Sequence, residues 1–270
     1  MRRLLFLLLA AAACGGDPQA GRERVVLVTT TTVEGSGLLD ALVTAYHASQ
    51  DDYRLATTAV GSGAALEIGR RGDADILLTH DSAGEARFMA EGFGRDQGPV
   101  MRNEFVVAGP AADPAGVRGA ADLAEALRRV AASGSSFVSR SDDSGTHRRE
   151  LQLWDRSGRS PRSEPAAWYV EAGAGMDEAL RIADQRDAYI LTDRSTFRHL
   201  SGRLRLVALA RGQPPEANPY RYTIPRETRS PEGARSFRDW LVGPGQTVIA
   251  RYGVDQLGEP LFTPTARAAP

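Results

Sequence analysis

The sequence predicts an α/β fold of two lobes joined by two crossovers. Short apolar runs recur, each followed by a loop and then by apolar residues at helical spacing, which is how a parallel sheet covered by helices reads. Strand-like segments at 103–109 and 220–224 lie where the chain would pass from one lobe to the other and back. The 270 residues, 42% hydrophobic, leave room for a substantial core and one to two domains.

The elements follow in order. Residues 24–29 (RVVLVT) read as a buried strand that runs into four consecutive threonines. A helix over 36–49 carries Leu38, Leu39, Leu42, Val43 and Tyr46 on one face. A strand at 53–60 leads through Gly61-Ser62-Gly63 into a helix bearing Ala65, Leu66 and Ile68. Residues 74–79 (ADILLT) give a third strand, followed by a helix over 83–91. After the crossover strand at 103–109 come a helix at 120–132, a strand at 136–140 and a helix at 144–156 with Leu151 and Trp154 inward. A polar, turn-rich link occupies 157–166. Strands at 168–171, 187–192 and 204–209, a helix at 175–185 and helices at 231–241 and 245–251 complete the pattern. The tail beyond Pro260 is expected to be loosely held. Lobe 1 is expected over 24–105 with 216–262, and lobe 2 over 106–215.

The amino terminus reads as an address. Arg2 and Arg3 precede an apolar run of residues 4–13, too short to span a bilayer and suited to a secretory signal peptide over 1–13. Cys14, the single cysteine, follows three alanines and precedes two glycines. Small residues ending in cysteine resemble a bacterial lipobox, which would make Cys14 the lipidated first residue of the exported protein. Residues 14–23 would then be a polar tether. The protein is expected in the periplasm or at the cell surface, held to the membrane only through that lipid.

Composition excludes several chemistries. All 33 basic residues are arginine. Schiff-base lysines and the phosphate-loop lysine are therefore excluded. One cysteine excludes an internal disulfide framework and a cysteine-rich zinc site. A net charge of -1 lacks the basic footprint of nucleic-acid binders.

Three loops share one chemistry. In open α/β sheets ligands sit beyond the carboxyl ends of strands, where helices begin. The first such loop, Thr29 to Thr32, offers hydroxyls and unpaired backbone N–H groups. The second, around Ser62, has glycines that let backbone approach a ligand, and Ser62 is placed to cap its helix or donate to a ligand. The third, 139–147 (SRSDDSGTH), puts the fixed donor fork of Arg140 beside Ser144, Gly145 and Thr146 at a helix start. A fully ionised oxyanion carries only acceptors, so its site must offer donors. Taken singly, each loop could equally be a capped helix, with Arg140 in a surface ion pair.

At these loops the sequence resembles the substrate-binding component of tungstate ABC transporters. The segments are VTTTTVEGSGLLDAL, AVGSGAALEIGRRGDADILLTHD, MRNEFVVAGPAADPAG, FVSRSDDSGTHRRELQLW and AYILTDRSTF, in that order. The resemblance extends from about Val25 to about Tyr252 and implies a type II periplasmic-binding-protein fold with the anion clamped between two lobes. Thr32 and Ser62 stand where that family usually has serine and threonine, so both hydroxyls are kept. It implies anion contacts at Thr30, Thr31, Thr32, Ser62, Arg140, Ser144, Gly145 and Thr146, with tungstate or molybdate as ligand and no cofactor or metal. It also implies permease and ATPase partners, and a monomer.

Other readings stay open on the residues alone. The spacing of Arg140, Ser144, Gly145 and Thr146 also resembles phosphate-binding proteins. Phosphate keeps a proton near neutral pH and needs an acceptor, for which Asp81, Asp142 and Asp143 are candidates. A hydrolase would use Ser144 and His147, which share a helical face but lack an orienting third group. A metal site would draw on His80, Asp81 and His147, without paired ligand spacing. His47 is expected on a helix surface and His80 against a neighbouring loop. A sensor or adaptor of the same fold is the last alternative.

Overall fold

The computed structural model describes residues 21–161, 167–211 and 217–266. The signal peptide, Cys14 and most of the tether lie outside the described residues, as do parts of the 157–166 link and of the lobe boundary at 215–216.

The chain begins with β1 (Glu23–Thr30), α1 (Thr31–Gly35), α2 (Leu38–Ser49), β2 (Tyr53–Val60), α3 (Ser62–Arg70), β3 (Ile76–Thr79) and α4 (Ser82–Ala90). Then follow β4 (Gly94–Gly109), α5 (Leu123–Ser133), β5 (Phe137–Ser139), α6 (Gly145–Arg156), β6 (Tyr169–Glu171), α7 (Met176–Gln185), β7 (Tyr189–Asp193) and α8 (Arg194–Leu200). The last elements are β8 (Val207–Arg211), β9 (Ala217–Pro225), α9 (Pro231–Val242), α10 (Gly245–Arg251), α11 (Val254–Leu257) and β10 (Thr263–Pro264).

The strands order as β2-β1-β3-β9-β4-β7-β5-β6, with β8 and β10 also paired to β4. β1 pairs in parallel with β2 and β3, and β5 pairs in parallel with β6 and β7. Alternation along β1 places Val25 and Leu27 in a core with Leu38, Leu42, Tyr46, Phe237 and Leu241. Val26 and Val28 turn to the opposite face, against Ala65, Leu66, Leu77 and Phe88. The second half is also covered on both faces, by Phe137, Leu127 and Trp154 on one side and by Leu180, Ile190 and Phe197 on the other.

The halves share β4. Its residues through Glu104 pair with β9, and from Phe105 onward they pair with β7. The strand is longer than the sequence predicts, starting at Gly94 rather than 103. The polar, glycine-containing stretch 94–98 hides its periodicity, and pairing to β9 supplies what local preference lacks. The return crossover is β9.

Three further expectations are corrected. The tail is not loose: Leu261 and Phe262 are buried, Phe262 meets the Tyr220 ring edge-on, and Thr263 and Pro264 pair with Arg102 and Met101. His47 lies on α2 as expected but is half-buried there, its Nε2 accepting from the backbone N–H of Leu55 at 2.9 Å and satisfying a donor of β2. The threonine loop is partly helical, Thr31–Gly35 forming α1, and the helix expected over 36–49 is α2, which starts at Leu38 behind Gly37, whose φ of +77° favours glycine.

α4 carries a buried carboxyl that makes the fold pH-sensitive. Glu85 is 1% exposed, and its Oε1 accepts from Thr79 Oγ1 (2.7 Å) and the Asp81 N–H (3.0 Å). Burial pushes its carboxyl from 4.5 up to about 7, against the lowering effect of those bonds. The folded chain therefore holds this proton more tightly than the unfolded one. Stability contributed by the neutral form is complete below 4.5 and is lost as pH rises through about 7, by roughly 3 kcal/mol at most. Glu85→Gln keeps the acceptor and removes the titration. Thermal melts should show the variant gaining on the wild type as pH rises from about 5 to about 8. A pH-independent difference between the two would show that Glu85 does not titrate in this window.

Candidate oxyanion site

The three strand-to-helix loops meet. Arg140, at the end of β5, donates from Nη2 to Thr31 Oγ1 at 3.3 Å and pairs with Asp142 Oδ2. Gly61 lies against the third loop, close enough that an added Cβ would sit 3.8 Å from the Asp142 carbonyl oxygen and 4.0 Å from Ser144 Cα. First, second and third loops are thus assembled around Arg140.

Each side chain owes its position to a helix start. Thr30 is the N-cap of α1 and accepts from the Val33 N–H at 3.4 Å, while Thr31 and Thr32 form its first turn. The α3 cap is Gly61, not Ser62; Ser62 is the first helical residue, and its hydroxyl caps nothing. Ser144 caps α6 by accepting from the His147 N–H at 3.3 Å, which leaves Gly145 and Thr146 in the first turn. Thr29 is structural, its hydroxyl bonded to the Leu78 carbonyl at 2.9 Å.

What remains over is a set of donors. Thr32 Oγ1, Ser62 Oγ, Thr146 Oγ1, Arg140 Nε and Arg140 Nη1 are all buried, and none has a hydrogen-bond partner among the described residues. Arg140 is 1% exposed, so its ion pair with Asp142 is not a surface pair. A buried polar group without a partner costs about 1–3 kcal/mol, and a charged one more. Nearly all buried polar groups in proteins are satisfied, so such atoms gathered at one point mark a ligand site. Arginine can only donate, and the hydroxyls can donate, so the set fits an oxyanion without a cofactor or metal.

Each acid a phosphate proton would need is already in an ion pair, Asp142 with Arg140 of the site itself. Asp81 caps α4, accepting from the Gly84 N–H at 3.1 Å, and pairs with Arg148. Asp143 pairs with Arg148 at 2.8 Å, and Asp142 with Arg140. The hydrolase arrangement is not formed, since Ser144 Oγ is the α6 cap and His147 Nδ1 accepts from the Asp143 N–H at 3.0 Å. His80 bonds Asn218 of strand β9 at 2.9 Å rather than a neighbouring loop, and among the described residues no three metal-ligating side chains cluster. Burial, with the Arg140 charge second, holds His80 down at about 4, so it is neutral at physiological pH.

The sequence does not single out Arg148, Asn103, Asn218 or Asp193. Arg148 bridges the two sides, from α6 to Asp81 beyond β3. The asparagines join the crossover strands, Asn218 Nδ2 donating to Asn103 Oδ1 at 2.8 Å.

The chain as a whole is similar to known proteins. The family described as the PBP superfamily domain matches residues 17–244. The tungstate-binding protein TupA of Peptoclostridium acidaminophilum is 37% identical over 239 residues, covering 86% of this chain and 82% of that protein. The solved structure of the tungstate ABC transporter from Geobacter sulfurreducens is 38% identical with a TM-score of 0.76, over 85% of this chain and 99% of that one. That of the tungstate-binding protein TupA from Desulfovibrio alaskensis G20 is 36% identical with a TM-score of 0.75, over 91% of this chain and all of that one.

Proposed function

Because the chain belongs to the PBP superfamily and, within it, to the tungstate-binding proteins of ABC transporters, we propose that it captures tungstate between two lobes for import. The protein works outside the cytoplasm as a substrate-binding component, and among the described residues no helix is long and apolar enough to cross a membrane. Its partners are a permease and an ATPase, and it acts as a monomer. A lipid on Cys14 tethers it to the membrane once residues 1–13 are removed.

One observation carries the ligand class: the buried, partnerless donors on Thr32, Ser62, Thr146 and Arg140. Thr30, Thr31, Ser144 and Gly145 complete the shell, Thr30 and Ser144 by shaping the helix starts and Thr31 and Gly145 by lining the anion. Tungstate and molybdate are unprotonated at neutral pH and suit a site whose nearby acids are already paired. The lobes are 24–105 with 216–262 and 106–215; the partner change of β4 between Glu104 and Phe105 supports that division. Contacts from both lobes favour a closed state when the anion is present.

Calorimetry of the full chain with tungstate, molybdate, phosphate and sulfate at one pH and salt tests this. Tight 1:1 tungstate binding with weak phosphate is expected. Binding of phosphate alone would replace the ligand, and binding of none would remove the function.

A further inference from the structure

Behind the anion donors runs a buried polar chain that the oxyanion reading does not use. Asn103 and Asn218 face each other across the β4–β9 pair. His80 Nδ1 donates to Asn218 Oδ1 at 2.9 Å, since Asn218 Nδ2 is committed to Asn103 Oδ1 at 2.8 Å. Asn103 Nδ2 donates to Asp193 Oδ1 at 2.9 Å. That same oxygen accepts from the Thr196 N–H at 2.9 Å and from Ser195 Oγ. The other oxygen, Oδ2, is buried without a partner.

The groups around Asp193 come from four elements. Asn103 faces it from β4, Tyr220 from β9, Ser195 and Thr196 from α8, and the charge of Arg140 reaches it from the end of β5. His80 stands two asparagines away, beyond Asn103 and Asn218, its ring 4.7 Å from that of Tyr220. The cation acting on Asp193 is Arg140, and Arg140 is already paired with Asp142.

We propose that capture of the dianion takes up one proton at Asp193, so that this carboxyl is neutral in the closed complex. The inference rests on the oxyanion reading. Before capture the Arg140 guanidinium pairs with Asp142 and is also the cation acting on Asp193. A fully ionised anion adds two negative charges and claims the remaining N–H groups of Arg140. The Arg140 charge then no longer offsets Asp193, and an unpaired buried carboxylate is the costly form. A proton supplied by the buffer acid forms the O–H bond on Oδ2, and the buffer keeps the electron pair. Burial already pushes this carboxyl upward. His80 is the weaker acceptor, held down at about 4.

Calorimetry of the full chain with sodium tungstate, from about pH 6.5 to about pH 9.5, should show affinity falling by up to about tenfold per unit as pH rises. The observed enthalpy should change between buffers of different ionisation enthalpy, reading up to one proton taken up. Asp193→Asn should lose both dependences, because asparagine still caps α8 but holds no proton. A pH-independent wild type with buffer-independent enthalpy overturns the proposal. So does a slope that survives Asp193→Asn and disappears in His80→Gln, which would place the proton on the imidazole. No tungstate binding at any pH overturns the oxyanion reading itself, and this inference with it.

Discussion

Arg140→Ala is expected to weaken tungstate binding by about 30-fold to about 4,000-fold, the range for truncating one partner of a buried charge pair, about 2–5 kcal/mol. Arg140 is the buried cation on which the three loops converge, and its Nε and Nη1 have no partner among the described residues. Alanine also removes the Nη2 bonds to Thr31 and Asp142 and leaves that carboxylate unpaired, so the melting temperature without tungstate should fall as well. The increment in melting temperature that tungstate adds should disappear, because it follows the logarithm of ligand over dissociation constant. Arg140→Lys should fall between wild type and alanine. Lysine keeps a charge but has no planar fork, so it cannot serve Thr31, Asp142 and the anion together. Wild-type affinity in Arg140→Ala would place Arg140 outside the site.

The loops around Arg140 were legible because their signal is local. A threonine run after a strand, a glycine-serine-glycine turn and SRSDDSGTH are contiguous, and each sits where an apolar run ends. The chemistry of Thr32, Ser62 and Thr146 needed only the knowledge that strand ends converge. Pairings across long separations were not legible. Arg148 meets Asp81 67 positions away, and His80 meets Asn218 across 138. No periodicity encodes such contacts. The same holds for the tail: Leu261 and Phe262 are two apolar residues beside prolines, too few to declare a burial that arises from the far side of the sheet. The extent of β4 failed for a related reason, since its first half is specified by β9 more than by its own residues.

Gly145→Ala is expected to weaken tungstate binding by about 5-fold to about 150-fold, the equivalent of an overpacking cost of about 1–3 kcal/mol. The added Cβ would stand 2.9 Å from the His80 carbonyl oxygen and 2.9 Å from its ring atoms Cε1 and Nδ1. His80 cannot easily yield, since Asn218 holds Nδ1 and the tilted Tyr220 ring packs 4.7 Å from its own. The clash is between the two sides of the cleft, because His80 follows β3 while Gly145 opens α6. An open molecule relieves it, so the cost falls on closure and not on folding. Alanine also keeps the backbone N–H at position 145, which separates the steric effect from loss of a donor. Gly61→Ala provides the contrast. Its Cβ would meet Asp142 and Ser144 at ordinary contact distances, with φ at -65°, so binding should stay close to wild type. Small-angle scattering supplies the second readout: tungstate should contract the wild type and Gly61→Ala but contract Gly145→Ala less. If Gly145→Ala bound and contracted as the wild type does, the approach of His80 to α6 would not be a condition of capture.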